Sequence, residues 1–186
     1  MPRLFVAVWP PGEVLDRVAA LPRPTVPGLR WTGHEHWHVT LRFLGPVPEV
    51  EPVAEALAAL PPGEPTNAVL GPGTGRFDQR ILHVPVAGLE AVASVVVDAT
   101  GHLGRPPDDR PFHGHLTLAR TAKHAKVDLR PLAGAPVEAD WEVDSVCLVE
   151  SRLSPAGARY EILDRFPLVN RDAGRPTGGA GERHPR

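Results

Sequence analysis

From Leu4 to Trp9 every residue is apolar, and Pro10-Pro11-Gly12 closes the run. This predicts a buried first strand. Val14, Leu15, Val18 and Leu21 then recur at helical spacing, which predicts a helix over Glu13–Leu21. Pro22, Pro24 and Pro27 make the next stretch a loop. Trp37–Leu44 reads as a strand ended by Gly45-Pro46. Glu49–Leu60 reads as a helix, with Val50, Val53, Leu57 and Leu60 on one face and Pro52 in the first turn, where its missing N–H costs little. Strands are expected at Asn67–Leu70 and Arg80–Val86 across the glycine-rich link Gly71–Gly75, and a helix at Leu89–Leu103 with Leu89, Val92, Val96 and Leu103 inward. A Pro/Asp loop, Gly104–Arg110, leads to strands at His113–Arg120, Trp141–Glu150 and Arg159–Val169, the last two joined by a turn at Ser154–Gly157. From residue 171 to 186 no apolar side chain is larger than Ala, so burial cannot offset the entropy of ordering and a disordered tail is expected. Strands with interspersed helices and hairpin-like links predict an α+β fold with mostly antiparallel pairing, one domain over residues 1–170.

Composition narrows the function. A hydrophobic fraction of 42% suits a globular core. A net charge of −2 argues against gripping long nucleic acid by neutralising phosphates, yet leaves room for a small site for one phosphate or an RNA end. Cys147 is the lone cysteine, so no intramolecular disulfide can form. No apolar stretch approaches the roughly 20 residues of a membrane span, and the N-terminal run is too short for a signal segment. A soluble cytoplasmic protein is expected, and a monomer, since no long exposed apolar pattern demands a partner.

The chemistry lies in a repeat. His38-Val39-Thr40-Leu41 returns as His115-Leu116-Thr117-Leu118, each copy inside a strand candidate, which reads as two lobes. Strict alternation puts Trp37, Val39, Leu41 and Phe43 on one face and His36, His38, Thr40 and Arg42 on the other. In the second copy Leu116 and Leu118 share one face, and His113, His115 and Thr117 the other. A single His-x-Thr is most often structural; the duplication, with matching faces, makes the pair a candidate site. If the polar faces meet, one neutral imidazole can take a proton from an attacking water while a charged one gives a proton to the departing oxygen. The threonine hydroxyls can hold the non-bridging phosphate oxygens, and no metal or other cofactor is required.

Other readings stay open. His34, His36 and His38 form H-x-H-x-H, and with His113 and His115 could bind zinc or copper, making the chain a metal-binding module or metallohydrolase. Neither threonine has a role in that reading, and activity that survives EDTA would exclude it. The site could also bind an RNA end or nucleotide without catalysis, or act on a different cyclic phosphate. Arg42 reads as a solvated charge, and Arg120 falls on the Leu116–Leu118 face, so it would need a bulge or the strand's end to reach the site. Trp37 and Phe43 read as core, and Phe112 and Tyr160 as better candidates for stacking a base. Gly71–Gly75 lacks the ending of a phosphate loop, Asp108-Asp109 reads as a solvated loop, and Cys147 as a small buried residue.

At these motifs the chain resembles the RNA 2′,3′-cyclic phosphodiesterase family, the bacterial 2′-5′ RNA ligase-like branch of the two-histidine phosphoesterases. The resemblance runs from Pro2 to Val169 and includes Arg3–Ala7, Arg30-Trp31 through Gly45, Arg110–Arg120 and Gly157–Leu163. It implies a bilobed α+β fold with two mostly antiparallel sheets around a central cleft and helices outside. It implies metal-independent hydrolysis of RNA 2′,3′-cyclic phosphate ends to 2′-phosphomonoesters, with RNA joining through a 2′-5′ bond in some relatives. By the same likeness His38 is the proton donor, His115 the proton acceptor, and Thr40, Thr117 and Arg120 bind the phosphate. His113-Gly114 stands where relatives more often carry a residue and a proline, which leaves the approach to His115 open.

Overall fold

The structure is a computed structural model and describes residues 1–154 and 157–168. The expected tail at 171–186 and part of the expected turn at Ser154–Gly157 lie outside the described residues. Among the described residues ten strands form one sheet, eight of them along a single path, and all pairings are antiparallel. The first half of the sheet is built from β1 (Arg3–Val8), β3 (Val39–Pro46), β9 (Ser145–Ser154) and β10 (Gly157–Pro167), in the order β10-β9-β1-β3. The second is built from β7 (His115–Thr121), β6 (Ile81–Ala87), β4 (Thr66–Leu70) and β8 (Ala139–Val143), in that order. Short strands β2 (Leu29–Trp31) and β5 (Gly75–Phe77) flank β7 and β6. The halves meet between β3 and β7 through the single pair Val39–Leu116.

From Leu4 to Val8 strand β1 is apolar because both its faces are covered. Leu4, Val6 and Val8 enter the main core, while Phe5 and Ala7 join Cys147 and Val149 in a smaller cluster on the opposite face, packed by Trp9 and Tyr160. Three helices cover the core side: α1 (Gly12–Ala19), α2 (Glu51–Ala58) and α3 (Glu90–Thr100). Their buried residues, Val14, Leu15 and Val18 in α1, Val53 and Leu57 in α2, and Val92, Ala93 and Val96 in α3, follow the predicted stripes. Helix α1 follows β1 yet packs on β8 of the second half, and α3 follows β6 yet packs on β3 of the first. The two halves therefore share one core, centred on the fully buried Trp37, Leu44, Leu57, Leu82, Leu116 and Leu148. No helix among the described residues is long and apolar enough to cross a membrane.

Several expectations need correction. Trp141–Glu150 is two strands: the chain leaves β4's side after Val143, and the next strand pairs with β10 from Ser145 and with β1 from Cys147. The polar pair Asp144-Ser145, between Val143 and Val146, falls where the sheet partner changes. Helix α3 ends at Thr100, short of Leu103, and Arg42 lies against its end. This guanidinium is 4% exposed and donates to the carbonyls of Thr100, Leu103 and Arg105 at 3.1, 3.2 and 3.0 Å. It supplies donors to carbonyls at the helix end, which a terminal turn leaves unsatisfied. Arg42 is thus no solvated charge. Phe43, expected in the core, is 39% exposed. Both departures come from one bulge. Opposite β1, Thr40 pairs with Ala7 and Arg42 with Val6, so Leu41 is the extra residue and the alternation reverses beyond it.

Candidate active site

The single pair between β3 and β7 joins the residues that follow the two motif histidines, Val39 and Leu116. Continued by one residue on either side, this antiparallel register sets His38 opposite Thr117 and Thr40 opposite His115. Both Val39 and Leu116 are fully buried, so the four polar side chains share the opposite face. That is the face of Phe5, Ala7 and Tyr160, away from the helices. Both histidines and both threonines are only partly buried there.

The second motif repeats the bulge of the first at the matching residue. Opposite β6, Thr117 pairs with His83 and Ala119 with Leu82, so Leu118 is the extra residue. The reversal sends Ala119 to the core and Arg120 to the site face. The Arg120 guanidinium lies 3.5 Å from Thr117 Oγ1, and its charge acts on both His38 and His115.

The two rings are held differently. His115 Nδ1 is 2.8 Å from the His113 carbonyl. A carbonyl only accepts, so Nδ1 carries the proton and the neutral ring keeps a lone pair on Nε2. Gly114 makes this approach possible: a Cβ there would clash with the Val86 carbonyl oxygen, and Val86 N–H donates to the Gly114 carbonyl at 2.9 Å. This is the local geometry that the His113-Gly114 departure left open. His38 instead lies among aromatic rings, stacked on Trp9 at 4.8 Å, tilted to Phe5 at 5.0 Å and edge-on to Tyr160 at 5.2 Å. The His36 carbonyl is near enough to favour its charged form, but Nδ1 is buried without a well-aligned hydrogen bond.

Burial dominates the electrostatics. It lowers the His38 pKa to about 4, more than the His36 carbonyl raises it, and the charges of His36, His115 and Arg120 lower it further. Burial also lowers His115, with the His113 carbonyl opposing and Arg120 adding to the shift. At neutral pH the free protein therefore presents neutral rings beside a guanidinium. An entering anion is what would stabilise a proton on one of them.

His83 stands outside both motifs, and sequence reasoning passes over it. It is 6% exposed, stacked on Phe77 at 4.0 Å and edge-on to His115 at 5.6 Å, and burial lowers its pKa to about 4. Phe77 also meets the His115 ring edge-on at 4.9 Å. The available signal is alternation in β6: Leu82, Val84 and Val86 form the core face, which leaves His83 on the other.

The metal reading loses its geometry. His34–His36 form a 3-10 turn and not a continuous strand with His38. His34 packs on Trp37 at 5.2 Å and His36 on Tyr160 at 4.9 Å. No group of three or more His, Cys, Asp or Glu among the described residues could hold a metal ion. Asp108 pairs with Arg110 at the surface and forms no carboxylate dyad with Asp109. Cys147 is buried, as expected.

A curled antiparallel sheet with two pseudo-symmetric His-x-Thr strands at its centre is the architecture of a two-histidine phosphoesterase. The sequence profile of the 2′-5′ RNA ligase superfamily matches residues 10–154, and the chain belongs to that family. An RNA 2′,3′-cyclic phosphodiesterase of Thermus thermophilus is 30% identical over 97% of this chain and 98% of its own length. One of Geobacillus stearothermophilus is 29% identical over 91% of this chain, which spans 57% of that relative's length. Among solved structures, a Thermus thermophilus protein superposes with a TM-score of 0.72 at 32% identity, covering 91% of this chain and 99% of its own. Escherichia coli LigT complexed with 3′-AMP superposes with a TM-score of 0.70 over 91% of this chain and all of its own, and at 24% identity shows the shared fold.

Proposed function

We propose that the chain hydrolyses RNA 2′,3′-cyclic phosphate ends to 2′-phosphomonoesters without a metal, with His38 and His115 as acid and base. The observation that carries this reading is the junction of β3 and β7, where two imidazoles, two threonine hydroxyls and the Arg120 guanidinium share one face. The names of the curated relatives support the substrate.

His115 is suited to be the base, because its Nδ1 is committed to the His113 carbonyl and its Nε2 is free to accept. It takes a proton from water as the water oxygen bonds to phosphorus. The bond from phosphorus to the 3′ oxygen breaks, and His38 delivers a proton to that oxygen. Arg120, Thr117 and Thr40 hold the non-bridging oxygens as negative charge builds there. His38 is unprotonated in the free protein near neutral pH. The phosphate's own charge raises the ring's pKa on binding, so His38 acquires its proton in the complex. With an RNA 5′-hydroxyl in place of water, the same proton transfers make a 2′-5′ linkage, and this is proposed as a secondary activity on the strength of the family. The chain is proposed to act as a monomer in the cytoplasm.

The deciding experiment is hydrolysis of a short RNA with a 2′,3′-cyclic phosphate in EDTA, by wild type, His38→Ala and His115→Ala. A 2′-phosphate product formed by wild type and lost in both variants is expected. A need for added metal, or full activity in either variant, would sink the assignment.

A further inference from the structure

Beyond the reacting phosphate, β7 leads into a second feature. The strand carries His115, Thr117 and Arg120 past the site and continues through Thr121, Ala122 and Lys123 into a groove of about 460 Å³. Arg80, Lys123, Lys126 and Arg130 all line this groove. Its one carboxylate, Asp128, is held by Arg130 at 2.8 Å. No ion pair to Arg80, Lys123 or Lys126 occurs among the described residues. Between site and groove, Arg30 of β2 pairs in register with Arg120, so both project to the same face. In a chain of net charge −2, this groove gathers four cations and one carboxylate.

The geometry points to a binding track for the backbone phosphates of single-stranded RNA on the 5′ side of the cyclic end. It makes the preferred substrate an oligonucleotide and not a mononucleotide. This deepens the proposed function and rests on it. A strand rises about 3.3 Å per residue, so Thr117 to Thr121 spans on the order of 13 Å. That distance takes the groove beyond the terminal nucleotide and onto the phosphates that precede it. Three unpaired cations suit contacts to a few phosphates, a small footprint consistent with the acidic whole. Arg120 belongs to the terminal phosphate, and Arg80, Lys123 and Lys126 to those upstream.

The test compares a five-nucleotide RNA ending in a 2′,3′-cyclic phosphate with a nucleoside 2′,3′-cyclic phosphate, for wild type and for Lys123→Gln/Lys126→Gln. Single-stranded binding loses roughly 0.7 decades of affinity per decade of salt for each phosphate contact. With the terminal contact to Arg120 the pentanucleotide makes four contacts, which predict a loss of about 50-fold in kcat/KM between 50 and 200 mM salt, against about threefold on the nucleoside for the one contact to Arg120. The double variant is expected to lose roughly tenfold on the pentanucleotide at 50 mM salt, to flatten its salt dependence, and to stay within about twofold of wild type on the nucleoside. Equal loss on both substrates, or no advantage of length in wild type, overturns the track. Fluorescence anisotropy with a labelled pentanucleotide bearing a 2′-phosphate separates this from the activity itself. If neither substrate is turned over but the double variant binds the pentanucleotide more weakly, the phosphodiesterase reading fails and the track stands. Unchanged binding removes the track whatever the activity.

Discussion

Two segments that begin alike, His-Val-Thr-Leu-Arg-Phe running into β3 and His-Leu-Thr-Leu-Ala-Arg in β7, put their arginines to opposite uses. Each strand bulges at its Leu, so the next residue turns to the core and the one after it to the site face. In β3 the core-facing residue is Arg42, which is buried among three carbonyls beyond α3, and Phe43 takes the site face. In β7 the core-facing residue is Ala119 and the site face receives Arg120. A one-residue offset therefore separates a structural cation from one on the face of the two histidines. The histidines diverge in the same way. His115 has its tautomer set by a backbone carbonyl, whereas His38 is surrounded by aromatic rings and lacks that fixed bond. Near-symmetry in sequence thus yields a site with unequal halves, which acid–base chemistry requires.

The sharpest break of the comparison is removal of either ring. His38→Ala and His115→Ala are each expected to lower kcat by about 10²–10⁴-fold, the range of general acid–base catalysis. Because the two act as a unit, the double variant should be little worse than the poorer single one, measured by steady-state hydrolysis. A double loss equal to the product of the single losses would mean that the rings work independently.

Next come the arginines. Arg120→Ala is expected to lower kcat/KM about 10²-fold, as for loss of a donor to a developing oxyanion, with its melting temperature nearly unchanged. Arg42→Ala should do the reverse. Hydrogen bonds to charged groups contribute about 1.5–3 kcal/mol, and removing this guanidinium leaves buried carbonyls unpaired, so a loss of roughly 2–4 kcal/mol in stability is expected with kcat retained where the protein is folded. Thermal denaturation beside kinetics reads both, and activity loss in the Arg42 variant at full folding would erase the distinction.

The pH profile sharpens it further. With burial lowering both site rings, kcat/KM should be bell-shaped with its maximum below pH 6.5, falling as pH rises. The profile of kcat should lie at higher pH, since the bound phosphate favours the protonated acid. Arg120→Ala removes a positive neighbour of both rings and should move the kcat/KM limbs upward. A flat profile would sink the two-histidine mechanism.

The smallest effect concerns stability. His38 and His83 titrate near 4 when folded and near 6.5 when unfolded, so the unfolded chain binds more protons between those values. The stabilisation is fully present above about pH 6.5 and is lost as pH falls toward 4. Melting temperature should drop across that window, and His83→Phe, which keeps an aromatic ring beside Phe77, should make the drop shallower. An unchanged slope would mean that His83 carries no such linkage.

Most of the elements, and the residues that come together as the candidate site, were legible in the chain. Apolar periodicity located all three helices and the long strands, because burial of one face imposes a period on the sequence whatever packs against it. The repeated His-x-Thr placed both rings and both hydroxyls on strand faces, since alternation is a local property of the backbone. What alternation could not supply was its own interruption. The bulges at Leu41 and Leu118 depend on how β3 and β7 seat against β1 and β6, and they decided the fates of Arg42, Phe43 and Arg120. The change of partner at Asp144, the contact of His83 with His115 and the unequal setting of the two rings likewise arise from residues distant in sequence. The sequence by itself determined which side chains the protein has to work with and the faces on which regular strands would show them. Only the tertiary structure decided which arginine reaches the face of the two histidines and which ring meets a backbone carbonyl, because both depend on pairings between distant strands and on the backbone each side chain meets there.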